Sequence, residues 1–73
     1  MNANKAIRDV LKREGKPSTE ASILMGRKRA YLSAILSQDR DPRASTLAAF
    51  AEAMNYELVL RSRDDGFEFI IAE

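Results

Sequence analysis

At Asn55 the apolar residues of this chain change their period, and that switch limits the available folds more than any other feature. Before it they recur every three or four residues, as on helices with one buried stripe; after it they alternate, as on half-buried strands. The expected fold is therefore mainly α with a small β element. Residues 1–55 form one helical domain, and residues 56–73 form a C-terminal β-hairpin attached to it.

Ala3, Ile7, Val10 and Leu11 stand at helical spacing, with Lys12 and Arg13 in the last turn and Gly15 beyond them, which predicts a first helix over residues 3–14. Pro17 and Ser18 open a second, with Ser18 as its N-cap, Glu20 in the first turn and Ala21, Leu24 and Met25 as the apolar stripe. Gly26 ends it. A third helix carries Tyr31, Leu32, Ile35 and Leu36 inward and Lys28, Arg29, Ser33, Ala34 and Ser37 outward. A link of only about three residues around Gly26 makes these two short helices cross steeply, the helix-turn-helix geometry. Residues 38–43 read as a polar loop that Pro42 keeps out of helix. Ser45 then caps a fourth helix bearing Leu47, Phe50, Ala51 and Met54, with Asn55 as a left-handed terminator.

In the tail, Tyr56, Leu58 and Leu60 alternate with Glu57, Val59 and Arg61, and Phe67, Phe69 and Ile71 alternate with Glu68, Ile70 and Ala72. Asp65-Gly66 signals a two-residue turn, which would set Arg63 opposite Glu68 and Leu60 opposite Ile71. That register gathers Leu58, Leu60, Phe67, Phe69 and Ile71 on one face and an ion pair on the other. A lone hairpin is marginal in water, so this one either folds over its own helices or meets the strands of a second chain. The small core and the acidic, apolar-edged tail favour a homodimer, with Leu58, Val59, Leu60, Phe67, Phe69, Ile70 and Ile71 as its interface.

Composition narrows the chemistry. The 73 residues include no histidine and no cysteine, which removes the commonest general base, the thiolate nucleophile, disulfides and most soft-metal ligands. No enzyme activity, cofactor or metal is expected. The start of the chain lacks the apolar segment of a secretory signal and no run approaches a membrane span, so a cytoplasmic protein without a membrane partner is expected. Charge is divided unevenly: residues 1–43 hold ten bases against five acids, whereas residues 44–73 hold two bases against six acids. Such a chain can turn a basic face to a polyanion while its other end does something else.

The segment from Ser18 to Leu36, followed by Pro42 and by the run from Thr46 to Met54, resembles the lambda-repressor-like (Xre/Cro) helix-turn-helix family over about residues 5–56. The residues that carry the likeness are Ser22, Gly26, Tyr31-Leu32-Ser33, Ile35, Pro42 and Thr46-Leu47. The chain departs from the family at Arg27, usually a buried Val or Ile; at Lys28, usually a capping Ser or Thr; and at Leu36, often Glu. Strands in place of a fifth helix are similar to the arrangement in lambda Cro and HipB-like antitoxins. The resemblance implies that the third helix enters the major groove of double-stranded DNA while the second crosses the backbone.

Bases in the first turn of the third helix, small side chains along it and no acid from Arg27 to Gln38 fit the same role. The expected DNA-binding residues are Ser18, Thr19, Arg27, Lys28, Arg29, Tyr31, Ser33, Ala34, Ser37, Gln38, Arg40 and Arg43. Lys28 and Arg29 would read guanine, and Arg40, Arg43 and the start of the second helix would hold phosphates. The leading expectation is a bacterial or phage-encoded transcriptional regulator, a repressor, binding a palindromic operator as a homodimer. The alternative is a protein-interaction module, an antitoxin or anti-activator that binds a toxin or transcriptional activator and keeps DNA binding as a secondary role.

Overall fold

Four helices and one hairpin follow one another in a computed structural model that describes residues 2–38 and 40–72. They are α1 (Ala3–Glu14), α2 (Ser18–Leu24), α3 (Tyr31–Leu36), α4 (Ala44–Ala53), β1 (Leu58–Arg61) and β2 (Glu68–Ala72), the two strands antiparallel. Among the described residues no helix is long and apolar enough to cross a membrane.

Three of the helices stop in the same way. Gly15, Gly26 and Asn55 take left-handed φ angles of 64°, 74° and 62°. At each, the following amide reaches back five residues: Lys16 to the Leu11 carbonyl, Arg27 to Ser22 and Tyr56 to Ala51. Glycine takes this conformation without steric cost, and asparagine tolerates it better than most residues.

The helix starts differ from the expected ones. Asn2 caps α1, its side chain accepting from the Lys5 amide at 3.1 Å. Ser18 is the first residue of α2, not its cap, and Ser45 lies one residue inside α4; Pro17 and Arg43 occupy the cap positions, extended and without a side-chain cap bond. The third helix begins at Tyr31, so six residues separate it from α2 and Lys28 and Arg29 lie in the connection. Lys28 stands where a capping hydroxyl would be needed, and without one the chain makes only an isolated turn there, the Tyr31 amide donating to the Lys28 carbonyl at 3.0 Å.

The core gathers Ile7 and Leu11 from α1, Ala21 from α2, Leu32 and Leu36 from α3, Phe50 from α4 and Met54 just beyond it, with Val10, Met25, Tyr31, Leu47 and Tyr56 around them. One expected core residue is displaced: Leu24 points outward at 50% exposure, and Ser22 is fully buried in its stead. The Ser22 hydroxyl donates to the Ser18 carbonyl at 2.7 Å and accepts from the Leu32 amide at 3.0 Å. It thereby satisfies a first-turn donor of α3 that no cap serves. A larger apolar residue could neither fit so close an approach nor replace that acceptor.

The hairpin keeps the expected alternation but not the expected register. Arg61 faces Glu68, Leu60 faces Phe69 and Val59 faces Ile70; a bulge then sets Leu58 opposite Ala72. The Arg63–Glu68 and Leu60–Ile71 pairings do not form. Instead of two residues the loop has four, 63–66, closed by Gly66 donating to the Ser62 carbonyl at 3.0 Å and Ser62 donating to the Phe67 carbonyl at 2.8 Å. Side chains favour the wider loop: Ser62 Oγ accepts from the Asp64 amide and Asp65 Oδ1 from the Phe67 amide. A shift of two positions preserves which residues share a face as far as Val59 and Ile70; beyond the bulge Leu58 meets Ala72 and not Ile71.

The Phe67 amide, helped by Ser62, holds the Asp65 carboxyl below the usual aspartate range. Because the folded pKa is depressed, the loop's contribution is complete above the unfolded aspartate value and is lost as pH falls through the folded one. Titration by NMR is expected to show Asp65 ionising at lower pH in the intact chain than in a peptide of residues 62–67, with Phe67 amide protection declining in the same acidic interval. Equal midpoints in chain and peptide would contradict this account of the loop.

Candidate nucleic-acid interface

A six-residue helix is about 9 Å long and cannot hold its own orientation, so α3 depends on what grips its two ends. Ser22 grips the start. At the other end, where Ser37 stays right-handed, α1 intervenes: Arg8 Nη2 donates to the Leu36 carbonyl at 2.9 Å and Asn4 Nδ2 donates to the same oxygen at 3.2 Å. Arg8 Nε also donates to Asn4 Oδ1 at 2.8 Å, and the Asn4 amide donates to Asp41 Oδ1 at 3.1 Å. A guanidinium on a terminal carbonyl complements the negative end of the helix. Neither Asn4 nor Arg8 was among the expected site residues; their spacing of four along α1 was the one available sign.

Along the side of α3 that carries the half-buried Tyr31 and Ile35, facing the start of α4 and not the exposed Ser33, Ala34 and Ser37, the structure brings together five of the expected residues. Tyr31, Gln38, Arg40 and Arg43 line one hollow of about 420 Å³ with Ile35, Asp41, Pro42 and Thr46. The Arg27 guanidinium sits 5.2 Å from the centroid of the Tyr31 ring, a cation–π distance. Where the family pattern has a buried aliphatic residue, Arg27 is therefore exposed and stacked. The acid in the hollow, Asp41, is already bonded to the Asn4 amide. Thr46, which sequence reasoning omitted, is an additional lining residue. The first-turn amides of α4, which like those of any helix have no intrahelical partner, receive no side-chain cap either, and the positive end of its dipole opens where Arg43 and Thr46 stand.

The other expected residues lie apart. Lys28 is exposed on the α2–α3 connection. Arg29, also exposed there, lines a separate hollow with Thr19, Glu20, Ile23 and Leu24. Ser33, Ala34 and Ser37 are exposed along α3. The hydroxyl protons of Ser33 and Ser37 go to the carbonyls of Ala30 and Ala34, at 3.1 and 2.8 Å, so these serines present lone pairs outward, not donors. Ser18 is half-buried at the first turn of α2 and its carbonyl is taken by Ser22.

The second expected surface, the hairpin, packs chiefly on α4. Leu60, Phe67, Phe69, Ile70 and Ile71 are each more than half exposed, Val59 is exposed as well, and Leu58 is half-buried. Phe67 and Phe69 pack on each other, ring centroids 4.9 Å apart. The radius of gyration, 12.6 Å, exceeds the roughly 11 Å of a compact chain this long, as a hairpin standing off its helices requires. Among the described residues no group of three or more Asp or Glu side chains is placed to hold a metal ion.

No family model, curated protein or solved structure matches the chain.

Proposed function

We propose that this chain is a sequence-specific double-stranded DNA-binding regulator, a repressor, that acts as a homodimer and lays α3 in the major groove. The observation that carries the reading is the convergence of Arg27, Tyr31, Gln38, Arg40 and Arg43 around α3 and the uncapped start of α4. Guanidinium groups, a helix N-terminus and neutral donors on one face suit a phosphate backbone, and the small outward residues of α3 allow close approach to base edges. The likeness of residues 5–56 to the lambda-repressor-like family supports the same orientation. Lys28, at the entrance to α3, is the residue assigned to base reading; Arg40 and Arg43 are assigned to phosphates.

Dimerisation follows from number. A single copy offers too few phosphate contacts for tight binding at physiological salt, whereas a two-fold pair doubles them and spaces the two α3 helices about one DNA turn, roughly 34 Å, apart. The exposed apolar hairpin supplies the joining surface in this reading.

Fluorescence anisotropy with duplex DNA over a salt series tests it. The wild-type chain is expected to give a steep negative slope of log affinity against log salt. Replacing Arg40 and Arg43 together by alanine should reduce that slope by about two units per protomer. Lys28→Ala should instead lower the preference for a selected duplex over a random one. A slope near zero in the wild-type chain would overturn the proposal.

A further inference from the structure

Apart from the hairpin, the exposed large apolar side chains among the described residues are two neighbours on α2, Ile23 at 52% and Leu24 at 50%. Single exposed aliphatics are ordinary; adjoining ones over shallow hollows are not. Their outward position has a structural cause. Ala21, Ser22 and Met25 occupy the side of α2 that faces the core, and a helix this short has no further apolar stripe to hide.

Leu24 lies at the junction of two hollows. One, of about 450 Å³, is lined by Thr19, Glu20, Ile23, Leu24 and Arg29. The other, of about 360 Å³, is lined by Leu24, Met25, Ala49, Glu52 and Ala53. The two hollows adjoin at the half-exposed Leu24, which stands between them, and make a divided groove across α2 and α4 whose other apolar lining is Ile23, Met25 and the two alanines. Small residues on α4 let another backbone come close.

The charges on the rim select the occupant. Glu20 is paired with Lys16 at 3.5 Å, and Arg29 lies at the same end. At the α4 end Glu52 has no ion-pair partner among the described residues, and it also borders a further hollow that holds Glu14 and Glu57 along with Arg13. That arginine is engaged with the Tyr56 hydroxyl at 3.0 Å. Its charge remains, and with Glu14, Glu52 and Glu57 against Arg13 the α4 end is acidic on balance. A second copy's hairpin is a poor match for that end, because Glu57, Asp64, Asp65 and Glu68 outnumber Arg61 and Arg63; the same sign repels a nucleic acid there.

We infer that the α2–α4 groove is a docking site for one amphipathic helix of a partner protein, its apolar stripe seated over Ile23, Leu24, Ala49 and Ala53 and its basic flank against Glu52. Two crossing helices offer no free strand edge, so the occupant binds through side chains at helical spacing. The groove includes Thr19 and Arg29 but none of the residues that the proposed function assigns to DNA, and its test contains no DNA.

The probe is a synthetic helix of about 18 residues with leucines at i, i+3, i+4 and i+7 and lysines along one flank, set beside a control with glutamate for every lysine. Titrated into the isotope-labelled full chain at low salt, the basic peptide is expected to shift the amides of Ile23, Leu24, Ala49, Glu52 and Ala53. It should bind at least about tenfold more tightly than the acidic control. Glu52→Lys should reverse that preference, and Leu24→Gln should weaken binding by about tenfold while the helical circular dichroism stays unchanged. Shifts centred on the hairpin, equal binding of both peptides, no binding of either, or indifference to Glu52→Lys would each overturn the inference. So would loss of self-association in Leu24→Gln, which would give the groove to a second copy.

Discussion

Leu32→Ala is expected to destabilise the chain by about 2–5 kcal/mol, the usual range for truncating a fully buried leucine. Leu32 is 0% exposed and belongs to the one cluster that joins α1, α2, α3 and α4. The total stability of a 73-residue domain is about 4–11 kcal/mol, so this change removes a large part of it or all. The same residue offers the amide that Ser22 Oγ accepts. Ser22→Ala keeps the volume but leaves that amide buried without a partner, at a cost of about 1–3 kcal/mol. Urea titration followed by circular dichroism is the measurement. A midpoint for Leu32→Ala within error of the wild type would show that the core is not organised around this residue, and one for Ser22→Ala above the wild type would refute the capping role.

Replacing Leu60 and Phe69 together by threonine is expected to turn the proposed dimer into a monomer and to lower affinity for a palindromic duplex by about 10³-fold or more. The two side chains face each other across the hairpin, both 65% exposed. Threonine keeps strand propensity, so the ribbon itself should persist. Leu60, Phe67 and Phe69 share one face and Ile70 lies on the other, so an interface that wraps both faces of the ribbon and buries these with Ile71 from two copies would withdraw on the order of 1,000 Å² of apolar surface, the scale at which specific interfaces begin. A dimer binding near 10⁻⁸ M spends about 11 kcal/mol over two half-sites, and half of that leaves a monomer near 10⁻⁴ M, the nonspecific range. Sedimentation and anisotropy on the same samples check both parts. A double variant that still sediments as a dimer would move the interface elsewhere on the chain.

Periodicity and glycine placement were enough to delimit α1, to mark the ends of three helices at Gly15, Gly26 and Asn55, and to set a hairpin after α4. Wherever a side-chain cap was assumed and absent, the boundary moved. Ser18 and Ser45 fall inside their helices, and α3 starts two residues late because Lys28 cannot cap. The register slipped by two because bonds from Ser62 and Asp65 outweighed the preference of Asp-Gly for a two-residue turn. Tyr31, Arg40 and Arg43, expected as DNA-binding residues from charge and the family resemblance, line one hollow, although no spacing in the sequence joined them. The hold of Asn4 and Arg8 on the Leu36 carbonyl could not, since its acceptor is backbone some thirty positions away and leaves no trace in residue type. Leu24 was misplaced for a related reason. Where α2 and α3 approach most closely, size and hydrogen bonding prevail over hydropathy, and Ser22 takes the inner position.

Asn55, at φ 62°, is the joint at which the chain leaves its helices and starts toward the ribbon. In a dimer joined through the ribbons, the angle at that joint sets how far apart the two copies of α3 stand. Operator spacing is then governed by one backbone conformation, remote from every base, and could drift in relatives through exchanges near this joint while the half-site sequence stays the same.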